Sequence, residues 1–173
     1  MVRTDFTRMR CPVARSMAVL GERWAMLVLR EAFYGTTRFD EFERHLGIAP
    51  NILSARLRDL TEHGLLEKAP VAEGGARQAY RLTEKGRDFF PAYLALKAWA
   101  DRWMAGPEGP SILLEEAATG RLVEAPPALS AAGLPLRPED VRILPGPGAG
   151  EALRDRFAGE AMRARFGEGR THG

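Results

Sequence analysis

Along the first 65 residues, apolar positions recur every three or four residues, the spacing that places side chains on one face of an α-helix. The pattern predicts four helices, over about 12–20, 23–34, 39–46 and 49–63. A glycine follows each predicted helix, as is common at helix ends: Gly21, Gly35, Gly47 and Gly64. This part of the chain is therefore expected to be helical.

The fourth predicted helix has two distinct faces. On a helical wheel, Leu53, Leu57 and Leu60 lie within about 60° of one another and are predicted to be buried. The opposite face carries small or polar residues: Asn51, Ser54, Ala55 and Arg58. A short turn containing Gly47 joins this helix to the one before it. The pair predicts a helix-turn-helix whose polar face is free to enter a DNA groove.

After Gly64 the period changes to that of strands. Residues 65–69 and 78–82 are predicted to pair as a hairpin around the glycine-containing loop 70–77. Thr83 then caps a long helix over about 84–105, which Pro91 is predicted to kink. The apolar residues of this helix spread over more surface than one small domain covers, which indicates a dimer interface.

Residues 106–150 differ from the rest, with 15 Pro and Gly in 45 positions. A short hairpin pairing 112–115 with 121–124 and an amphipathic helix over 151–167 are predicted there. We therefore divide the chain into an N-terminal arm (1–11), a winged helix-turn-helix domain for DNA binding and dimerisation (12–105) and a C-terminal extension (106–173). The predicted fold class is mainly α with a small β-hairpin wing.

Charge and composition narrow the possible partners. Residues 1–105 hold 17 Lys and Arg against 13 Asp and Glu, a net charge of +4, whereas residues 106–173 have a net charge of −2. The first part is thus the better candidate for binding a polyanion. No apolar run approaches the roughly 18 residues that span a bilayer. Together with the single cysteine, this predicts a cytoplasmic protein without a membrane partner.

The residue types on the outer face of the fourth helix suit double-stranded DNA. Asn51 and Arg58 can bond base edges bidentately, Ser54 can contact a base or a phosphate, and Ala55 permits close approach. Further DNA contacts are predicted for residues outside this helix: Arg38, Arg77 and Gln78. Arg56 lies at the edge of the leucine stripe. It either contacts a phosphate or pairs with a carboxylate such as Asp59 or Glu62.

Several short motifs occur together in unbroken order over about residues 8–105: Cys11-Pro12-Val13, Gly21-Glu22-Arg23-Trp24, Gly35 with Arg38-Phe39, Leu53 to Leu60, Gly64-Leu65, and Tyr80-Arg81-Leu82-Thr83 with Gly86. In these the chain resembles the HxlR family of MarR-like bacterial transcription regulators. The resemblance implies a homodimer that joins through its first and last helices, binds a pseudopalindromic operator and acts as a repressor.

Two mechanisms are expected by which the protein is released from its operator. Members of the family sense oxidants or electrophiles through a cysteine before the first helix, and Cys11 has that place. Beside Arg10 and the helix N-terminus its thiolate is favoured; the alternative is a packed, unreactive cysteine. In the second mechanism a small apolar effector binds near four aromatic residues, which could instead be ordinary core and interface residues: Trp24, Tyr93, Trp99 and Trp103.

The extension resembles that of some actinobacterial relatives, which have cysteines in a zinc-ribbon-like arrangement. This chain has Thr119, Leu129 and Ala132 at those places, and its histidines are scattered. We therefore expect no metal and no cofactor. No nucleophile with a neighbouring base and no phosphate-binding glycine motif is apparent, so an enzyme is not expected. The alternative function is a winged-helix module that binds a protein partner without specific DNA affinity.

Overall fold

A computed structural model of the chain describes residues 5–70, 78–141 and 143–158. Its regular elements are α1 (Pro12–Leu20), α2 (Ala25–Phe33), α3 (Phe39–Leu46), α4 (Pro50–Glu62), β1 (Leu66–Pro70), β2 (Gln78–Leu82), α5 (Glu84–Asp88), α6 (Phe90–Met104) and α7 (Glu151–Ala158). The chain divides into two compact units, Met1–Ala125 and Pro126–Gly173. The predicted fold class, mainly helical with one small hairpin, is confirmed.

The core of the first unit forms where α2, α3, α4 and the start of β1 meet. Val28 and Leu29 of α2 and Phe42 of α3 are fully buried there. Leu53 and Leu57 of α4 pack against the same cluster, and burial of each such side chain contributes about 1.5–3 kcal/mol. The leucine stripe predicted from the sequence is therefore the side of α4 that faces the core.

The turn between α3 and α4 depends on Gly47. Its φ of 60° lies in the left-handed region, and its N–H donates to the carbonyl of Glu43 at 2.9 Å. A side chain in this conformation costs about 1–2 kcal/mol, which explains the glycine. Ile48 is buried directly afterwards, and Pro50 opens α4 in the first turn, where its missing N–H leaves no hydrogen bond unmade.

The wing is a two-stranded antiparallel sheet whose pairing runs from Leu66 opposite Leu82 to Pro70 opposite Gln78. The backbone N–H of Tyr80 donates to the carbonyl of Thr37 at 2.7 Å, so β2 is also bonded to the segment that leads into α3. Since Thr37 precedes the helix-turn-helix, this bond fixes the base of the wing beside it.

The long helix predicted over 84–105 is divided into two helices at Phe89, two residues before Pro91, where the kink was predicted. Thr83 caps α5 as expected, because its Oγ1 accepts the N–H of Gly86 at 3.0 Å. The helix then ends at Phe89, and a new one begins at Phe90 with Pro91 in its first turn. A proline is tolerated there because the first-turn N–H groups have no partner within the helix.

The segments 112–115 and 121–124 approach each other through a single antiparallel bridge between Glu115 and Leu122, with Gly120 at φ +67° in the turn. In the second unit, a bridge joins Leu129 to Pro135 and α7 follows. The part of the predicted last helix after residue 158 lies outside the described residues. Among the described residues, no helix is long and apolar enough to cross a membrane.

Gly86 provides a test of the contact between α5 and the end of α4. A Cβ on this buried residue would lie 2.1 Å from the carbonyl oxygen of Leu65, so backbone must move. We expect Gly86→Ala to lower the free energy of unfolding by roughly 1–3 kcal/mol, measured by urea denaturation. Gly106→Ala, which meets open space, is the control and is expected to stay within about 0.5 kcal/mol of the native chain. Equal stability of the two variants would contradict this close packing.

Candidate nucleic-acid interface

The outer face of α4 presents a row of small and polar side chains. Asn51, Ser54 and Arg58 are exposed and Ala55 is half-buried, whereas the leucines on the opposite side are fully buried. The structure thus brings these four predicted residues together on one helix face. Such a face offers hydrogen-bond donors and acceptors at the spacing at which a helix in the major groove meets base edges.

The N-terminus of α4 adds a positive field to this face. Its cap residue, Ala49, has no side chain able to bond the first N–H groups of the helix, and Pro50 follows. The dipole of α4 favours an anion at this end, such as a phosphate of a DNA backbone.

Ile52 lies at the edge of this face and was not predicted from the sequence. Its side chain is 40% exposed, although it lies one position from the buried Leu53. On the helical wheel it falls between the polar face and the buried stripe, at about 100° from Asn51. That position was the available signal, because an apolar residue there has no core to fill.

Arg56 is held by two carboxylates. Its Nη1 lies 3.2 Å from Asp59 Oδ2 and 3.5 Å from Glu22 Oε2, and only 19% of its side chain is exposed. Of the two alternatives left open by the sequence, the geometry is that of a carboxylate pair with Asp59. The contact with Glu22, which connects α4 to the segment before α2, was not anticipated.

Arg58 and Arg38 differ in how freely they could reach DNA. Arg58 is 66% exposed, and its Nε lies 3.9 Å from Glu62 and 4.0 Å from Asp59, beyond hydrogen-bond distance. Arg38 instead donates two hydrogen bonds to the carboxylate of Asp40, at 3.0 and 3.2 Å. This hydrogen bonding holds the pKa of Asp40 below its ordinary value. Exposed pairs of this kind are weak enough for a phosphate to replace the carboxylate.

A polar cluster that the sequence did not predict connects α2 to α3. The carboxylate of Glu31 is buried, and it accepts hydrogen bonds from Arg30 at 2.8 Å and from Thr36 Oγ1 at 3.3 Å. His45 Nδ1 of α3 lies 3.3 Å from the same carboxylate. Because α3 precedes the turn into α4, the cluster helps to set where α4 begins.

The remaining predicted site residues lie elsewhere. Gln78 is exposed at the start of β2, and Arg77 lies outside the described residues. Cys11 is exposed at the cap position of α1, where its carbonyl accepts the N–H of Arg15 at 3.0 Å. Its thiol is therefore accessible, as the sensing hypothesis requires.

The four aromatic residues of the predicted effector pocket occupy three different environments. Trp24 is half-buried against the core. Tyr93 is buried and forms a hydrogen bond with Tyr34. Burial and, to a smaller extent, this hydrogen bond raise the pKa of its phenol above the ordinary range. Trp99 and Trp103 are exposed on α6. Within the described ranges no group of His, Cys, Asp or Glu is placed to hold a metal ion.

Two helices present apolar side chains to solvent. Leu96, Trp99 and Trp103 follow one another at helical spacing along α6, and Trp103 is 65% exposed. On α1, Val13 and Met17 are one turn apart and also exposed. A single chain leaves these two apolar stripes uncovered.

Comparison with known proteins agrees with this geometry. The sequence profile of the HxlR-like helix-turn-helix family matches residues 19–107. The uncharacterized HTH-type transcriptional regulator Rv3095 of Mycobacterium tuberculosis is 41% identical over 136 residues, which cover 79% of this chain and 86% of that protein. This similarity continues beyond the family region into the extension.

Solved structures similar to this chain are also of transcriptional regulators. That of PA1607, a proposed transcription factor, is 44% identical with a TM-score of 0.75 and covers 81% of this chain and 98% of its own. The oxidized form of the redox regulator HypR is 29% identical with a TM-score of 0.50, covering 56% of this chain and 100% of its own.

The two arginines of α4 should differ in their effect on stability. Arg56→Ala removes the ion pair with Asp59 and the contact with Glu22, and we expect it to lower the free energy of unfolding by about 1–2 kcal/mol in urea denaturation. Arg58→Ala removes an exposed side chain and should change it by less than about 0.5 kcal/mol. If the two variants were equally stable, Arg56 would have no structural role.

Proposed function

Because the chain belongs to the HxlR-like helix-turn-helix family of transcriptional regulators, we propose that it binds a pseudopalindromic DNA operator as a homodimer and acts as a repressor. The observation that carries the proposal is the division of α4 into a buried leucine side and an exposed side with Asn51, Ser54 and Arg58. In this role α4 lies in the major groove and reads base edges.

Phosphate contacts would orient the reading helix. The N-terminus of α4 and Arg38 supply positive groups for these contacts. Gln78, exposed at the start of β2, and its sequence neighbour Arg77 are proposed to add further contacts to the DNA backbone. Arg56 acts by holding α4 to the segment containing Glu22 rather than by contacting DNA. Phosphate contacts strengthen binding to any DNA sequence, whereas base contacts from the exposed side of α4 select the operator.

The exposed apolar stripes of α1 and α6 support the homodimer. Large apolar side chains at helical spacing on a surface are typical of an interface that a partner covers. Two-fold symmetry then places one α4 in each half-site, about one turn of B-DNA apart. The operator is therefore expected to be an inverted repeat with that spacing.

Release of the operator would follow a chemical signal. Cys11 is exposed immediately before α1, so its oxidation or alkylation changes a group beside the proposed dimer helix. A small organic effector is the second route, and the two routes are compatible.

The test of this function is selection of a binding sequence from a random duplex library, followed by affinity measurements with fluorescence anisotropy. We expect an inverted repeat bound at least about a thousandfold more tightly than random DNA. Asn51→Ala should weaken operator binding by about 1–3 kcal/mol and leave binding to random DNA nearly unchanged. Arg121→Ala, a change of an exposed residue outside α1, α4 and α6, is the control. Selection of no sequence above the salt-sensitive background would favour the protein-binding module instead.

Ile52 provides a second, independent test of how α4 reads DNA. An exposed branched apolar side chain on a reading helix is suited to the C5-methyl group of thymine. Replacing thymines of the selected operator by deoxyuridine removes only that methyl group. We expect one position at which deoxyuridine weakens binding of the native chain but not of Ile52→Ala. If the substitution weakens both proteins equally at every position, Ile52 does not contact thymine.

A further inference from the structure

A cavity of about 490 Å³ lies between α1, the end of α4 and α5. Its wall is apolar, formed by Val19 and Leu20 of α1, Leu65 after α4, and Phe89 at the end of α5. The volume is within the range of about 300–1,000 Å³ that is usual for small-molecule sites. None of the four aromatic residues predicted for an effector pocket lines it.

The polar residues at this cavity carry mostly positive charge. Arg15 of α1 and Lys85 of α5 line it together with one carboxylate, that of Asp88. Lys85 Nζ donates one hydrogen bond to the carbonyl of His63 at 2.7 Å, which leaves two of its N–H groups for another acceptor. An apolar wall with two cations at its edge is complementary to an organic anion.

His63 adds a group whose tautomer is defined by a hydrogen bond. Its Nδ1 lies 2.8 Å from the carbonyl of Asp59, and a carbonyl only accepts, so Nδ1 carries a hydrogen. In the neutral ring, Nε2 is then an acceptor, and in the protonated ring it is a second donor.

We infer that this cavity binds a small organic acid, with an aromatic or short aliphatic body against Phe89 and Val19 and a carboxylate near Arg15 and Lys85. The site also touches the elements that the proposed function uses. His63 ends the reading helix α4, and α1 carries the exposed residues Val13 and Met17. The regulatory part of the inference, that the acid changes operator affinity, rests on the proposed function; the binding part does not.

The binding test uses calorimetric titration of the full chain without DNA, with three probes of one shape: 1-naphthoate, 1-naphthamide and 1-naphthylmethylamine. We expect naphthoate to bind at least about tenfold more tightly than the neutral amide, because it makes charge-assisted hydrogen bonds. The amine should bind most weakly. Equal binding of naphthoate and the amide, tighter binding of the amine, or no binding of naphthoate at millimolar concentration would overturn the inference.

Variants locate the bound acid. Arg15→Gln removes an exposed cation and should weaken naphthoate about tenfold while leaving the amide unchanged, whereas Arg121→Gln, outside the cavity, should change neither. Ser16→Trp should fill the cavity and abolish binding. Light scattering of this variant shows whether its oligomeric state is unchanged. If Ser16→Trp still binds naphthoate, or if Arg15→Gln binds naphthoate as the native chain does, the cavity is not the acid site.

The regulatory arm adds naphthoate to the complex with the selected operator. We expect operator affinity to change by at least about threefold in the native chain and not in Arg15→Gln at the same concentration. Binding of naphthoate in calorimetry without any selectable operator would leave the site standing and refute the proposed function. An operator that forms but does not respond to bound naphthoate would refute the regulatory role alone.

Discussion

Burial of Leu53, Leu57 and Leu60 fixes the rotation of α4 about its own axis, and the candidate interface depends on that rotation. A shift of one residue would turn the helix by about 100° and carry Arg58 toward the core, at the cost of leaving leucines in water. The buried side therefore decides which side chains can meet DNA. The turn at Gly47 and the polar cluster around Glu31 then decide where the helix begins.

The sequence was sufficient for features that follow from local periodicity and turn chemistry. The two faces of α4, the hairpin and the cap at Thr83 all belong to this class. Contacts between residues far apart in the chain could not be obtained in this way. Glu22 and Arg56 meet only because α2 and α4 pack together, and no spacing rule encodes that approach.

A related limit of periodicity concerns α1 and α6. An amphipathic pattern says that a helix has an apolar side, but it does not say whether the chain's own core or another molecule covers that side. The structure separates the two cases: Val28 and Leu29 of α2 lie in the core, whereas Val13 and Trp103 are exposed. The same pattern thus supports a hydrophobic core in one element and a candidate association surface in another.

The interruption at Phe89 means that a small change of angle there displaces the far end of α6 by several ångströms. α5 is packed against the winged domain through Gly86, while α6, a helix of 15 residues, starts afresh beyond the break. At 1.5 Å per residue, α6 is about 22 Å long. A rotation of 10° at its first residue therefore displaces its last residue by about 4 Å. That displacement is similar to the rise of one base pair, about 3.4 Å. In the proposed homodimer, a change of a few degrees at this joint would therefore produce a mismatch of register along a duplex.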